Sequence, residues 1–321
     1  MKVFIAYDGS AAADTAIDGL RRAGLPADGI EALVMSVGEV WLPPPASEDD
    51  EPFPVHVPPG LKEAREHAEL VMRKAGEAAE RAAKRVQQIF PQWRVNAEAN
   101  NGSPAFELLN RAEQWQADLI VVGSHGHTAL SRFVLGSVSQ KILTEASTSV
   151  HIGRAHAGTG KSGERIAIGV DGSPGSFAAV RAAARRKWTS GSELRIVVAD
   201  DALKGNPIWL LIPPVRHFVD EVRSEERTRA ERTALEAAKE LRAGLDNENL
   251  TVSSVVEPGD PKRVLVKHAE EFGADCIFTG ATGFSTRLER LVLGSVSAAI
   301  AARAHCSVEV VREREALKNP T

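Results

Sequence analysis

AHAGTGKSGERIAIGVDGS, Ala155 to Ser173, decides how the rest of the chain is read. Its opening nearly spells a phosphate-binding P-loop, with Ala155 in place of the usual first glycine and Gly160, Lys161 and Ser162 at the right spacing. Such a loop works between a strand and the helix it opens, where free N–H groups and the helix dipole face the phosphates. Here the next residues are GERIAIGVDGS, which lead into an apolar strand and not a helix. Gly153 to Glu164 is small, polar and Gly-rich, the composition of a flexible linker.

The strand after the linker is itself a copy. FIAYDGS, Phe4 to Ser10, returns as IAIGVDGS, Ile166 to Ser173. ADLIVVGSHG, Ala117 to Gly126, returns as ADCIFTGATG, Ala274 to Gly283, and the GSVS of Gly136 to Ser139 as that of Gly294 to Ser297. Gly102-Ser103-Pro104 returns as Gly259-Asp260-Pro261, with the order kept throughout. A period of about 160 residues is too long for a solenoid repeat and right for a whole domain. The organisation expected is a first domain over 1–154, a linker over 155–163, a second domain over 164–312 and a tail over 313–321.

Within the first unit, apolar runs at Val3–Tyr7, Ala32–Val37, Arg94–Ala99, Leu119–Val122 and Ser149–Ile152 read as strands. Helices are expected near Ala11–Ala23, Leu61–Phe90, Ala105–Gln116 and Ser137–Ala146, and Pro-rich Trp41–Gly60 reads as an exposed loop. The second unit repeats this order, with Pro207–Pro214 as the loop and Val219–Leu245 as the long helix. The alternation predicts an α/β fold: two tandem doubly wound five-stranded parallel sheets of strand order 3-2-1-4-5, flavodoxin- or Rossmann-like.

Composition narrows the function. The chain has 321 residues, 43% hydrophobic and 26% charged, with a net charge of −4, so no basic footprint for nucleic acid or a membrane surface is present. The first apolar run stops at Asp8, too short for a signal peptide, and no run of about 20 apolar residues suggests a membrane span. The two cysteines, Cys276 and Cys306, form neither a disulfide framework nor a zinc pair, so a cytoplasmic protein with small core thiols is expected.

In a doubly wound sheet, ligands bind beyond the carboxyl ends of the strands where the order reverses. Strands one and four meet there, and the loops after them carry Asp8-Gly9-Ser10 and Gly123-Ser124-His125-Gly126, both repeated in the second unit. The second loop runs on to Gly136-Ser137, giving the spacing G-x2-G-x9-G-S. Glycines let a backbone approach a phosphate, and Ser137 reads as the N-cap of a helix whose free N–H groups would face an anion. Hydroxyls of Ser124, Ser137 and Ser139 stand ready to add hydrogen bonds.

That motif, following an apolar strand and paired with Asp-Gly-Ser after strand one, resembles the universal stress protein family, in both halves, as in its tandem members. The resemblance implies ATP in the crevice, with Asp8 near ribose and base and Val37 offering backbone groups to adenine. It implies Gly123, Gly126, Gly136, Ser137 and Ser139 around the phosphates and ribose, and a divalent cation, Mg or Mn, with the triphosphate. The corresponding set is Asp171, Gly280, Gly283, Gly294, Ser295 and Ser297. It further implies that the last strand of each half mediates pairing, so that the apolar edges Val150–Ile152 and Val308–Val311 make an intrachain pseudo-dimer, with a homodimer of chains as a further step.

The second half departs from the pattern. Ten residues rather than nine separate Gly283 from Gly294, Thr282 replaces His125, and Ala199-Asp200 stands where Val37-Gly38 does. The function expected is nucleotide-dependent sensing or signalling in a stress response, at most with slow ATP hydrolysis, since no general base or nucleophile pair can be assigned. The alternative is a structural or interaction module whose glycines only close a turn and whose Asp-Gly-Ser only starts a helix. His125 and His127 read as loop residues rather than a metal or acid–base pair, and Glu221–Leu245 as a solvated amphipathic helix rather than a coiled coil. An ATP-pyrophosphatase-like enzyme would need a Ser-Gly-Gly-x-Asp-Ser loop, which neither DGSAAAD (Asp8 to Asp14) nor DGSPGSF (Asp171 to Phe177) supplies.

Overall fold

The computed structural model describes residues 1–40, 59–126, 135–155, 163–200, 213–247, 249–282 and 293–313. Short apolar runs become β1 (Lys2–Ala6), β2 (Glu31–Gly38), β3 (Arg94–Asn101), β4 (Leu119–Gly123) and β5 (Ser149–Gly153). Between them run α1 (Ala11–Gly19), α2 (Pro59–Ile89), α3 (Pro104–Gln114) and α4 (Ser137–Glu145). The second half repeats the scheme as β6 (Arg165–Gly169), β7 (Glu193–Asp200), β8 (Thr251–Pro258), β9 (Cys276–Gly280) and β10 (Ser307–Val311). Its helices are α5 (Pro174–Ala184), α6 (Pro213–Gly244), α7 (Pro261–Phe272) and α8 (Ser295–Arg303). Each half is parallel with strand order 3-2-1-4-5.

The two sheets are one. Strands β5 and β10 pair antiparallel, Val308 opposite Ile152 and Val310 opposite Val150, giving the order β3-β2-β1-β4-β5-β10-β9-β6-β7-β8. The apolar strands expected at sheet edges therefore satisfy each other at the centre, and β3 and β8 are the outer edges. On one face, α1 and α2 cover the first half around Ile5, Ile17 and Val34, and α5 and α6 cover the second around Ile168, Val180 and Leu241. On the other face a single core runs through both halves, joining Ile142, Leu143 and Ile152 to Ile300, Val308 and Val310.

Several boundaries moved for local reasons. Helix α1 stops at Gly19, and Leu20–Arg22 winds on as a 3-10 turn before Gly24, at φ 62°, reverses the chain. Pro59 and Pro213 open the two long helices, because a first-turn proline gives up an N–H that has no helical partner. Gly60 is thus helical, while 41–58 and 207–212 of the Pro-rich stretches, and 156–162 of the linker, lie outside the described residues. In α6, Ala234, Ala237, Ala238 and Leu241 are buried at helical spacing, so this charged helix is amphipathic and packs on its own half. Cys276 and Cys306 are free and buried; burial raises both thiols, Cys306 to about 12, so they stay protonated as core residues.

Candidate functional site

Strands β1 and β4 lie side by side, Val3 opposite Leu119 and Ile5 opposite Val121, where the strand order reverses. Beyond β1, Gly9 takes φ 82°, a conformation that glycine adopts without strain. The turn lets the Ser10 N–H donate to Asp8 Oδ1 at 2.9 Å, while the Ser10 hydroxyl accepts from the Ala13 N–H at 3.2 Å and caps α1. Tyr7 donates to Asp14 Oδ1 at 2.9 Å, tying the strand end to the same helix. Burial, then the Asp14 carboxylate, pushes the Tyr7 phenol up to about 12, so it remains a donor at neutral pH.

At the end of β4, Gly123 lies on the first turn of α1: a Cβ there would stand 2.9 Å from Ala12 C and Ala13 N. The Ser139 hydroxyl donates to the Gly123 carbonyl at 2.7 Å and the Gly136 N–H to the Ser124 carbonyl at 2.9 Å, fastening α4 over the strand end. Helix α4 begins at Ser137, and its N-cap is Gly136, which offers no side-chain bond; the sequence-based expectation of Ser137 as N-cap is corrected here. The physical reason is space, since a Cβ on Gly136 would stand 3.2 Å from His125 Cα and 3.4 Å from Gly126 N. A glycine cap leaves first-turn N–H groups of α4 to an occupant of the crevice.

Gly126 closes the ring: a Cβ on it would stand 2.8 Å from Asp8 Oδ2. The fold therefore gathers Asp8, Gly123, Gly126, Gly136, Ser137 and Ser139 at one mouth, with exposed Ser137 at its rim and Ser139 buried beneath. Val37 stands at the carboxyl end of β2, half-buried and opposite Asn100 of β3. Ser124 Oγ lies 2.9 Å from His125 Nδ1, so this hydroxyl is engaged inside the loop. His127 lies outside the described residues.

The second half rebuilds most of this. Gly172 takes φ 85°, the Ser173 N–H donates to Asp171 Oδ1 at 2.9 Å, and Ser297 Oγ donates to the Gly280 carbonyl. Gly294 caps α8 without a side-chain bond, with exposed Ser295 as the first helical residue, and donates to the Ala281 carbonyl at 2.7 Å. The Gly259 N–H bonds the Asp200 carbonyl as Gly102 bonds Gly38, which confirms that Asp200 occupies the position of Gly38.

One residue breaks the likeness. Gly175 stands where α1 has Ala12, and the Thr282 carbonyl lies 2.2 Å from where a Gly175 Cβ would be. The loop after β9 sits down on α5 more closely than an alanine would allow. Gly283 lies outside the described residues. Gly175→Ala is expected to lift Thr282 off α5 and to destabilise the second half by about 1 kcal/mol, because a loop yields more readily than a core. Urea unfolding reads this; an unchanged midpoint would mean that the loop accommodates the methyl at no cost.

Comparison with known proteins agrees with the repeat and the fold. The model of the "Universal stress protein family" matches residues 1–154 and 163–312. A universal stress protein of Methanocaldococcus jannaschii is 36% identical over 80 residues, covering 24% of this chain and 47% of that protein. One of Mycolicibacterium smegmatis is 38% identical over 68 residues, covering 21% and 22%. The chain thus spans half or less of the length of these relatives. Among solved structures, a universal stress protein from Archaeoglobus fulgidus superposes with a TM-score of 0.56 over 98% of this chain and 97% of that one, at 17% identity. A putative one from Pseudomonas aeruginosa gives 0.51 over 97% and 92%, at 15% identity. Both speak to the fold.

Proposed function

The chain belongs to the universal stress protein family, and we propose from that premise that its first half holds ATP in the crevice between β1 and β4. The observation that carries this reading is the convergence of Asp8, Gly126 and the uncapped start of α4 on one mouth. The N–H groups behind Gly136 suit the phosphates, the Asp8 carboxylate suits ribose hydroxyls, and the end of β2 at Val37 offers backbone groups to a base. Among the described residues no three His, Cys, Asp or Glu side chains converge as a metal site, so a divalent cation, Mg or Mn, would arrive with the triphosphate. The chain would act as a nucleotide-dependent sensor, its halves 1–154 and 164–312 joined by 155–163 and followed by a tail over 313–321.

A second reading has its own support. Gly123 and Gly280 are required by packing against α1 and α5, and Ser139 and Ser297 spend their protons on strand carbonyls, so these residues serve architecture in both halves. In the second half the Thr282 carbonyl resting on α5 and Asp200 at the position of Gly38 support this reading. Calorimetric titration of the folded chain with ATP and Mg²⁺ is expected to show one site. Asp8→Ala and Gly126→Ala are each expected to weaken binding at least tenfold, about 1.4 kcal/mol. No heat and no competition from a fluorescent ATP analogue on the folded protein would leave the structural reading standing. No described helix is long and apolar enough to cross a membrane.

A further inference from the structure

The centre of the ten-stranded sheet treats the two halves unequally. In the antiparallel register of β5 and β10, His151 faces Glu309. The repeat makes these two residues counterparts, as Ser137 and Ser139 correspond to Ser295 and Ser297. Each therefore meets its own equivalent on the local two-fold axis. A symmetric junction would place identical residues there, but this one places a complementary pair.

His151 Nδ1 lies 3.2 Å from Glu309 Oε2, and Arg186, just beyond α5, holds Oε1 at 2.5 Å. All three are buried. A second meeting on the same axis is also unequal. Gly24 follows the 3-10 turn after α1, and its repeat counterpart after α5 is Lys187; the Lys187 N–H donates to the Gly24 carbonyl at 2.7 Å. Trp188 fills the space that Gly24 leaves, its ring carbons 2.8 Å from where a Gly24 Cβ would be. By contrast, Arg154 bonds the Ala301 carbonyl of α8 and Arg312 the Leu143 carbonyl of α4. Those two bonds are equivalent by the repeat and would survive in any pairing.

We infer that this junction is a heterotypic pairing surface: the β5 edge of the first half accepts the β10 edge of a second half and rejects a copy of itself. Two second halves would each bring an Arg186 to Glu309 Oε1 but set Glu309 Oε2 against Glu309 Oε2 in a dry centre without the His151 ring, and would drive Trp188 against a Lys187 backbone that carries a Cβ. Two first halves would set one His151 ring against another without a carboxylate and leave a hole between opposed Gly24 residues. The partner for this edge is therefore the other half of the chain, or the other half of a second copy by exchange. A plain homodimer through β5 is closed. The argument is independent of nucleotide binding.

The test uses the full chain with a protease site inserted between Gly158 and Thr159. After folding, the chain is cut, unfolded in urea and refolded by dilution, and the pairs are weighed by native mass spectrometry. The intact product is expected to give first-with-second pairs, with like pairs below a tenth of the total. In His151→Gln/Glu309→Gln/Trp188→Leu, like pairs are expected to rise at least fivefold toward the statistical half. Trp188→Leu alone keeps the charged pair and should give an intermediate rise if the triple variant does not refold. Abundant like pairs from the unsubstituted protein, recovery of no mixed pair at all, or no rise in any refolding variant would overturn the inference.

Discussion

Replacing Glu309 with alanine is expected to cost about 3–5 kcal/mol, the penalty for breaking a buried ion pair and leaving its partners behind. Glu309 is 2% exposed, and its removal strands the Arg186 guanidinium and the His151 ring at the middle of the sheet. Burial opposes ionisation of Glu309, but Arg186 and His151 outweigh it and hold its carboxyl below the usual range. The sign of the pH dependence follows. A carboxyl with a depressed folded-state pKa contributes stability that is present above its unfolded value, near 4.3, and is lost as pH falls through the folded value. Wild type should therefore lose part of its stability on acidification below about pH 4. Glu309→Gln, which keeps the shape, should already have lost that part at pH 7 and show a flatter profile. Urea midpoints at pH 7 and at about pH 3, below the unfolded carboxyl value, measure both. A Glu309→Ala cost under about 1 kcal/mol would show that water reaches the junction and screens the pair.

That junction marks the limit of what the linear pattern reveals. The alternation of apolar runs and helices and the recurrence of whole segments are carried by the linear pattern, and they set the fold and strand order of each half. The grouping of Asp8, Gly123 and Gly126 is legible for the same reason, since they sit at or just beyond the carboxyl ends of β1 and β4, which the topology makes neighbours. The cap at α4 differs from the expectation because Ser is the better N-cap by preference, while the close approach of the His125 backbone to position 136 favours glycine there. His151 with Glu309, Gly24 with Trp188, and Gly175 with Thr282 pair residues distant in sequence. Their signal was present in another form, as positions where two copies of one unit disagree in charge or bulk. A duplicated chain needs to be read at its mismatches as closely as at its matches.

Gly153 carries that lesson furthest. It ends β5, and its counterpart in β10 is Val311, a buried valine. The repeat alone would make the two residues interchangeable. At Gly153, however, a Cβ would stand 2.3 Å from both Cα and Cβ of Ala16, inside the backbone of α1. Helix backbone cannot swing aside as a side chain does, so Gly153→Val must push α1 away from β5. That movement opens the packing of Ala13, Ala16 and Ile17 against the sheet. It also disturbs the Ser10 turn, which places Asp8, at the other end of the same helix. Overpacking typically costs about 1–3 kcal/mol, and collision with backbone on a central strand puts this change at or above the upper end. Gly153→Val is expected to lower stability by about 3 kcal/mol or more, and Gly153→Ala by somewhat less, both read as urea midpoints. An additional Ala16→Gly change removes the methyl group in the way but leaves the helix backbone at residue 16 where it was, so it should restore only part of the loss. Full tolerance of valine at position 153 would mean that α1 moves off β5 at no cost, and would remove the tight packing that ties the sheet centre to the Asp8 turn.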